Sequence, residues 1–177
     1  MTRSLTLPLV AAGAAALKFA VDFDTSMSRI QGLVGLSADE VGAMREQVLQ
    51  LAGETTMAPQ ELSEALFLIT SAGLRGSTAM DALEASAKAA AAGLGDTASV
   101  ADAITSAMNA YGHDVLSAAQ ATDVLVATVR EGKVAAEDLA PQIGRVADIA
   151  STLGITFAEV GGLMAFFTST TGPAELA

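Results

Sequence analysis

The stretch that decides the fold runs from Thr70 to Gly112 and reads TSAGLRGSTAMDALEASAKAAAAGLGDTASVADAITSAMNAYG. It holds a helix end at Gly73, an alanine-rich helix to Gly93, and a second helix that closes at Gly112. Alanine has the highest helix propensity, and glycine is the commonest residue just past a helix end. The stretch therefore predicts two short helices, and its alanines favour close packing of helix backbones.

Composition extends this interpretation to the whole chain of 177 residues. Hydrophobic residues make up 51% but aromatic residues only 4%, so the apolar content is mainly alanine, leucine and valine. Such a composition favours helices. We predict an all-α fold of about eight short amphipathic, Ala-rich antiparallel helices joined by Gly-terminated turns.

The predicted helix starts rest on capping signals. A Ser or Thr followed three residues later by Glu or Gln satisfies backbone donors at both ends of the first turn, and Pro suits the first helical position. These signals occur at Ser37–Glu40, Pro59, Ser77 or Thr78, Asp96, Ser117–Gln120 and Thr156–Glu159. Pro141 falls in the seventh predicted helix, where it either kinks the helix or marks its first turn.

The first predicted helix runs from Leu9 to about Val34. Its residues Phe19, Phe23, Met27 and Ile30 form one stripe that we expect to pack on the next helices. Residues 1–16 also imitate a secretory signal peptide. The apolar run from Leu9 is about half of the 20 residues that a membrane span needs.

Charge and cysteine content exclude several classes of function. The net charge is −11 and the nine basic residues are scattered, so direct binding of nucleic acid is not expected. The chain has no cysteine, which removes disulfides and thiolate metal sites.

We find no catalytic, cofactor-binding or metal-binding constellation in the sequence. His113 is the only histidine and lies beside Asp114 in a predicted turn, too few ligands for a metal. The glycine-rich segment 73–77 joins two helices, whereas a phosphate-binding loop follows a strand. Carboxylate pairs such as Asp39 and Glu40 fall in first turns, where they favour the helix dipole. The sequence therefore predicts that the protein is not an enzyme and needs no cofactor.

The order of short motifs resembles the core region of phage tail tape measure proteins. Within the opening stretch the likeness lies in Ala72-Gly73, Ala101-Asp102-Ala-Ile104 and Ala107-Met-Asn109-Ala-Tyr-Gly112. It continues in Val134, Glu137-Asp138-Leu139 and Leu153-Gly154. The segment from Leu5 to Ser28 is similar to the beginning of that region, which argues against a signal peptide. Arg130-Glu131-Gly132-Lys133 departs from the family, which tends to be small and Asn-rich there.

The resemblance implies a structural and assembly role in a long-tailed phage or prophage, where such proteins template tail tube polymerisation and set tail length. It implies the tail tube protein, tail assembly chaperones and tail tip or baseplate proteins as partners, together with self-association. It also implies a place in the tail lumen of the virion and in the host cytoplasm during assembly. From the apolar character of the first helix we expect contact with the host membrane during DNA ejection. On this likeness, residues 1–34 form an N-terminal apolar or linker helix and residues 35–177 a helical tape-measure core region that is incomplete at its C-terminal end.

Length limits what the chain could measure by itself. A helix rises about 1.5 Å per residue, so 177 residues reach roughly 265 Å even when fully helical. We therefore expect the head of a longer ruler or a truncated prophage copy. The alternative from another class is a secreted or surface helical-bundle interaction protein with residues 1–16 as its signal peptide.

Overall fold

A computed structural model describes residues 20–132 and 134–171 of the chain. The predicted all-α fold is confirmed, since these residues form eight helices and no strand. The helices are α1 (20–34, closing with the π-helical turn Ile30–Val34), α2 (Ala38–Glu54), α3 (Pro59–Ser71), α4 (Gly76–Ala91), α5 (Thr97–Tyr111), α6 (Ala118–Gly132), α7 (Ala136–Thr152) and α8 (Phe157–Thr171). The signal peptide predicted over residues 1–16 and the helix start predicted at Leu9 lie outside the described residues.

Three helices begin with the predicted capping box. At α2 the Glu40 backbone N–H donates to Ser37 Oγ over 3.3 Å, and the Ser37 N–H donates back to Glu40 Oε2 over 2.9 Å. The same reciprocal pair opens α6 between Ser117 and Gln120, and opens α8 between Thr156 and Glu159. Each box satisfies backbone donors that have no partner inside the helix.

The predicted cap of α4 at Ser77 or Thr78 is wrong. The helix begins at Gly76, its N-cap is Arg75, and no side chain caps it. The chain turns early because Gly76 adopts a φ of +55°, which a residue with a Cβ rarely takes. The Arg75 guanidinium instead donates to the carbonyls of Thr70 and Leu74, and so serves the end of α3.

Helices α3, α4 and α7 share one kind of ending. After α3, the Gly73 N–H donates to the Thr70 carbonyl over 3.1 Å and the Leu74 N–H to the Ile69 carbonyl over 3.3 Å. This pair of bonds requires a left-handed residue between helix and loop, and Gly73 supplies it with a φ of +102°. Gly93 and Gly154 do the same, which makes the links between helices short.

The helices form two rows in which each helix packs on the helix two places along the chain, and α4 packs still more extensively on α5. The first row is α3, α5 and α7, and the second row is α4, α6 and α8. Helices within a row begin about 40 residues apart, within the 20–45 residues typical of stacked helical repeats. At the start of the stack, α2 contacts α3 and α4, and α1 contacts α2 and α3.

The hydrophobic core lies between the two rows and between successive helices of each row. Helix α5 is central: it contacts α3, α4, α6 and α7, and its residues Val100, Ile104, Ala107 and Met108 are buried, with Tyr111 half-buried. Residues Phe23, Met27 and Ile30 of α1 are buried in the same cluster, as their predicted stripe requires, and Phe19 of that stripe lies outside the described residues. Pro141 lies inside α7 rather than in its first turn.

Two glycines set the distance between α6 and α8. A Cβ on Gly161 would lie 2.6 Å from both Thr128 Oγ1 and Val124 Cγ1. A Cβ on Gly132 would meet Thr168 Oγ1 and lie 3.0 Å from the Ala165 Cα. Because low-numbered residues of α6 meet low-numbered residues of α8, and its end meets the end of α8, the two helices run parallel.

Candidate functional site

The described residues hold no group of three or more His, Asp or Glu side chains arranged to bind a metal. His113 is exposed after α5, as the sequence predicts. A groove of about 450 Å³ lies between α2 and α4 and has Glu40, Glu54, Asp81 and Glu84 on its rim. The residues of the family motifs instead make contacts at the two ends of α5. The outer face of α7 and α8 is a second, separate surface.

Carboxylates from both neighbouring helices reach the N-terminus of α5. Glu61, in the first turn of α3, accepts from Thr97 Oγ1 over 2.6 Å and from the Thr97 backbone N–H over 3.4 Å. Glu137, in the first turn of α7, accepts from the Asp96 backbone N–H over 3.2 Å. Thr97 is fully buried, and its hydroxyl has Glu61 as its strong acceptor and the Met57 sulfur, 3.3 Å away, as a weak one. Both carboxylates place negative charge where the helix dipole is positive.

The C-terminal end of α5 is tied to the same two neighbours. Asn109 Nδ2 donates to the Ala72 carbonyl at the end of α3 over 2.9 Å. Tyr111 Oη donates to the Ile155 carbonyl just after α7 over 2.9 Å, and its ring lies 5.8 Å from that of Phe157. Starts therefore meet starts and ends meet ends, which shows that α3, α5 and α7 run parallel.

These contacts give the family motifs a structural meaning. Asn109 and Tyr111 come from the Ala107–Gly112 motif, Ala72 precedes the first glycine turn, and Glu137 begins the Glu137-Asp138-Leu139 motif. Sequence analysis identified these positions only as matches to a family pattern. The partner of Thr97 was missed, because Glu61 is 36 positions earlier and its spacing shows only a favourable first-turn charge.

Local contacts shift the pKa of four of these terminal groups. The Ser99 hydroxyl and backbone donate to Asp96 and hold the pKa of that carboxyl below its ordinary value. The capping partners of Glu40 and Glu159 lower the pKa of each carboxyl in the same way. Burial raises the pKa of the Tyr111 phenol, which favours the protonated form that donates to Ile155.

The outer face of α7 and α8 ends the stack with apolar side chains in solvent. On α7 these are Val146, Ile149 and Leu153, at helical spacing on a face other than the one buried against α5. On α8, Leu163 and Phe166 are 52% and 60% exposed. We call this surface, together with Phe167, the end face. A groove of about 270 Å³ runs along it between the two helices and is almost entirely apolar.

Comparison with known proteins places the chain in a family. The model of the phage-related minor tail protein family matches residues 45–177. The tape measure protein of Pneumococcus phage Dp-1 is 30% identical over 168 residues, which cover 93% of this chain and 15% of that protein. A probable tape measure protein of Clostridium phage phiCD119 is 26% identical over 150 residues, or 82% of this chain and 16% of that protein.

The chain thus spans 15–16% of the length of these two relatives. No solved structure matches it. The family match and the Dp-1 relative confirm the resemblance that the motifs around α5 predict, and the chain belongs to the family of phage-related minor tail proteins.

Proposed function

We propose that the chain is a structural and assembly component of a long-tailed phage or prophage, and that it forms part of the tape measure that templates tail tube polymerisation and sets tail length. The observation that carries this proposal is the likeness to the Dp-1 tape measure protein along 93% of the chain. No described constellation of polar groups supports an enzymatic function instead.

The two-row stack constrains how such a ruler measures distance. Packed helices lie about 8–10 Å apart, so each helical pair of about 40 residues lengthens a stack by about 10 Å. The same residues drawn out as a single helix span about 60 Å. Because the extended form spans about six times the distance per residue, we propose that the ruler acts in the extended form and that the stack is the form of the protein before it is enclosed by the tube.

The partners proposed for this role are the tail tube protein, the tail assembly chaperones and the tail tip or baseplate proteins. The proposed location of the protein is the tail lumen in the virion and the host cytoplasm during assembly. The division into a linker helix over residues 1–34 and a core region from residue 35 belongs to the same proposal. No helix within the described part of the chain is long and apolar enough to cross a membrane.

Tail length tests the proposal directly. In the phage or prophage that encodes the chain, residues 97–135, one α5–α6 pair with its connection, would be duplicated in frame. Electron microscopy should show tails longer by about 60 Å if the ruler is an extended helix, and by about 10 Å if it stays stacked. Gly162→Ala, which leaves the number of residues in the chain unchanged, should give tails of ordinary length. Tails of unchanged length in the duplication would refute the templating role.

A further inference from the structure

Helix α8 has the composition of a buried helix. It reads FAEVGGLMAFFTSTT, and its one ionisable residue is Glu159, which the capping box uses. A helix at the surface normally carries charged residues on its solvent side, whereas a helix that is apolar all round is normally covered on all sides. Phe157, Val160 and Ala165 face the protein, and Leu163 and Phe166 on the remaining side face solvent.

The stack itself shows what covers such a face. Helices α5 and α6 have a side that corresponds to the end face, and α7 and α8 cover it. Helix α7 runs parallel to α5, and α8 runs parallel to α6. These internal contacts use apolar and small residues such as Ile143 and Ala147 of α7 and Gly161 of α8. The end face continues the same two rows by one further layer.

We propose that the end face is a stacking interface whose occupant is a further pair of helices from the longer polypeptide of this family. One helix would lie parallel to α7 and the other parallel to α8, with an apolar, uncharged side filling the groove between them. The two relatives are more than six times the length of the region they share with this chain, so polypeptides of this family have residues to supply such a pair.

Charge favours a segment of the same polypeptide over a second copy of the chain. Each copy carries a net charge of −11, so that two copies repel each other at close range. A covalently linked segment also has a high effective concentration at the face. This inference concerns how the helices stack and does not depend on the role in the tail.

The experiment compares the 177-residue chain with the same chain continued through roughly 80 further residues of its reading frame, two repeats of this size. Hydrogen exchange would be followed for the amides of α7 and α8. The continued chain should show at least tenfold slower exchange in α8. Phe166→Asp and Ile149→Asp should each abolish this slowing of exchange in the continued chain, and should change exchange in the 177-residue chain little. Leu33→Asp, at an equally exposed leucine in α1, is the matched control and should leave the slowing intact.

Each other outcome overturns the proposal. Equal exchange in the two forms, or a reading frame that ends at residue 177, would leave the face without this occupant. Protection of the 177-residue chain that rises with protein concentration would identify a second copy instead. Binding of the 177-residue chain to phosphatidylcholine–phosphatidylglycerol vesicles, lost in Phe166→Asp, would identify a lipid surface. None of these results bears on the tail-length experiment, so the two proposals can fail separately.

Discussion

The phenol oxygen of Tyr111 lies 2.9 Å from the carbonyl oxygen of Ile155 and donates a hydrogen bond to it. The bond joins the last residue of α5 to the turn between α7 and α8. It therefore links the aromatic residue of the Ala107–Gly112 family motif to the next layer of the stack.

Replacing Tyr111 with Phe should weaken this link without disturbing the packing of the ring on Phe157. The Ile155 carbonyl would lose its side-chain donor, and a hydrogen bond of this kind contributes about 0.5–1.5 kcal/mol. We expect the free energy of unfolding in urea to fall by about 1 kcal/mol. Tyr111→Ala, which also removes the ring contact, should cost more. Equal costs would show that the ring contact adds nothing, and no loss in Tyr111→Phe would show that the hydroxyl contributes nothing.

The same hydroxyl should make stability depend on alkaline pH. Burial raises the pKa of Tyr111 above its ordinary value of 10.0, so the folded protein holds this proton more tightly than the unfolded chain. The contribution is then complete below pH 10 and is lost as the pH rises through the folded-state pKa. The stability difference between the wild type and Tyr111→Phe, measured by urea unfolding at several pH values, should shrink over that range. A constant difference would contradict this assignment.

Gly161 and Gly162 offer a matched pair of substitutions in adjacent positions of α8. A Cβ at Gly161 would lie 2.6 Å from atoms of Val124 and Thr128, whose branched side chains have few rotamers to move into. A Cβ at Gly162 would meet nothing within 4 Å. We expect Gly161→Ala to lower the free energy of unfolding by about 1–3 kcal/mol and Gly162→Ala to raise it by about 0.5–1 kcal/mol.

Thermal or urea unfolding of the two variants measures this difference. A stabilising effect of both substitutions would mean that α6 and α8 separate at little cost. In that case the contact at Gly161 would not fix the distance between α6 and α8.

The sequence predicts the helices better than their arrangement. Capping boxes and left-handed glycines act within a few residues, so Ser37, Ser117 and Thr156 were identified as helix starts from spacing alone. Short connections suggested antiparallel neighbours, whereas the main contacts join parallel helices two places apart. That arrangement depends on pairs such as Glu61 with Thr97, and no local pattern reports a contact 36 positions away.

The capping box of α8 should make stability fall in acid. The backbone N–H and hydroxyl of Thr156 donate to Glu159 and lower the pKa of its carboxyl from the ordinary value of 4.5. The unfolded chain therefore binds this proton more readily, so the stabilisation is present above pH 4.5 and is lost as the pH falls through the folded-state pKa. Glu159→Gln should lower the melting temperature at pH 7 and have a smaller effect at pH 3. An equal effect at both pH values would exclude the carboxylate as the cause.

Removing the Glu61 carboxylate should destabilise the contact between α3 and α5. Thr97 is buried and its hydroxyl and backbone N–H both donate to Glu61, so Glu61→Ala leaves the N–H without this acceptor and the hydroxyl with only the weak acceptor Met57 Sδ, 3.3 Å away. We expect a loss of about 1–3 kcal/mol in the free energy of unfolding. Glu64→Ala, on the exposed side of the same helix, is the control and should change it by less than about 0.5 kcal/mol.

The double variant Glu61→Ala with Thr97→Val separates the loss of the hydrogen bond between Thr97 and Glu61 from other effects of Glu61→Ala. Valine has nearly the shape of threonine but no hydroxyl, so it removes the donor that Glu61→Ala leaves with only the Met57 sulfur. The double variant should therefore be more stable than Glu61→Ala alone, because a buried donor with only a weak acceptor costs more than an apolar group in its place. If Thr97→Val made Glu61→Ala worse, the Met57 sulfur alone would satisfy the Thr97 hydroxyl, and the carboxylate would not be what holds the start of α5 to α3.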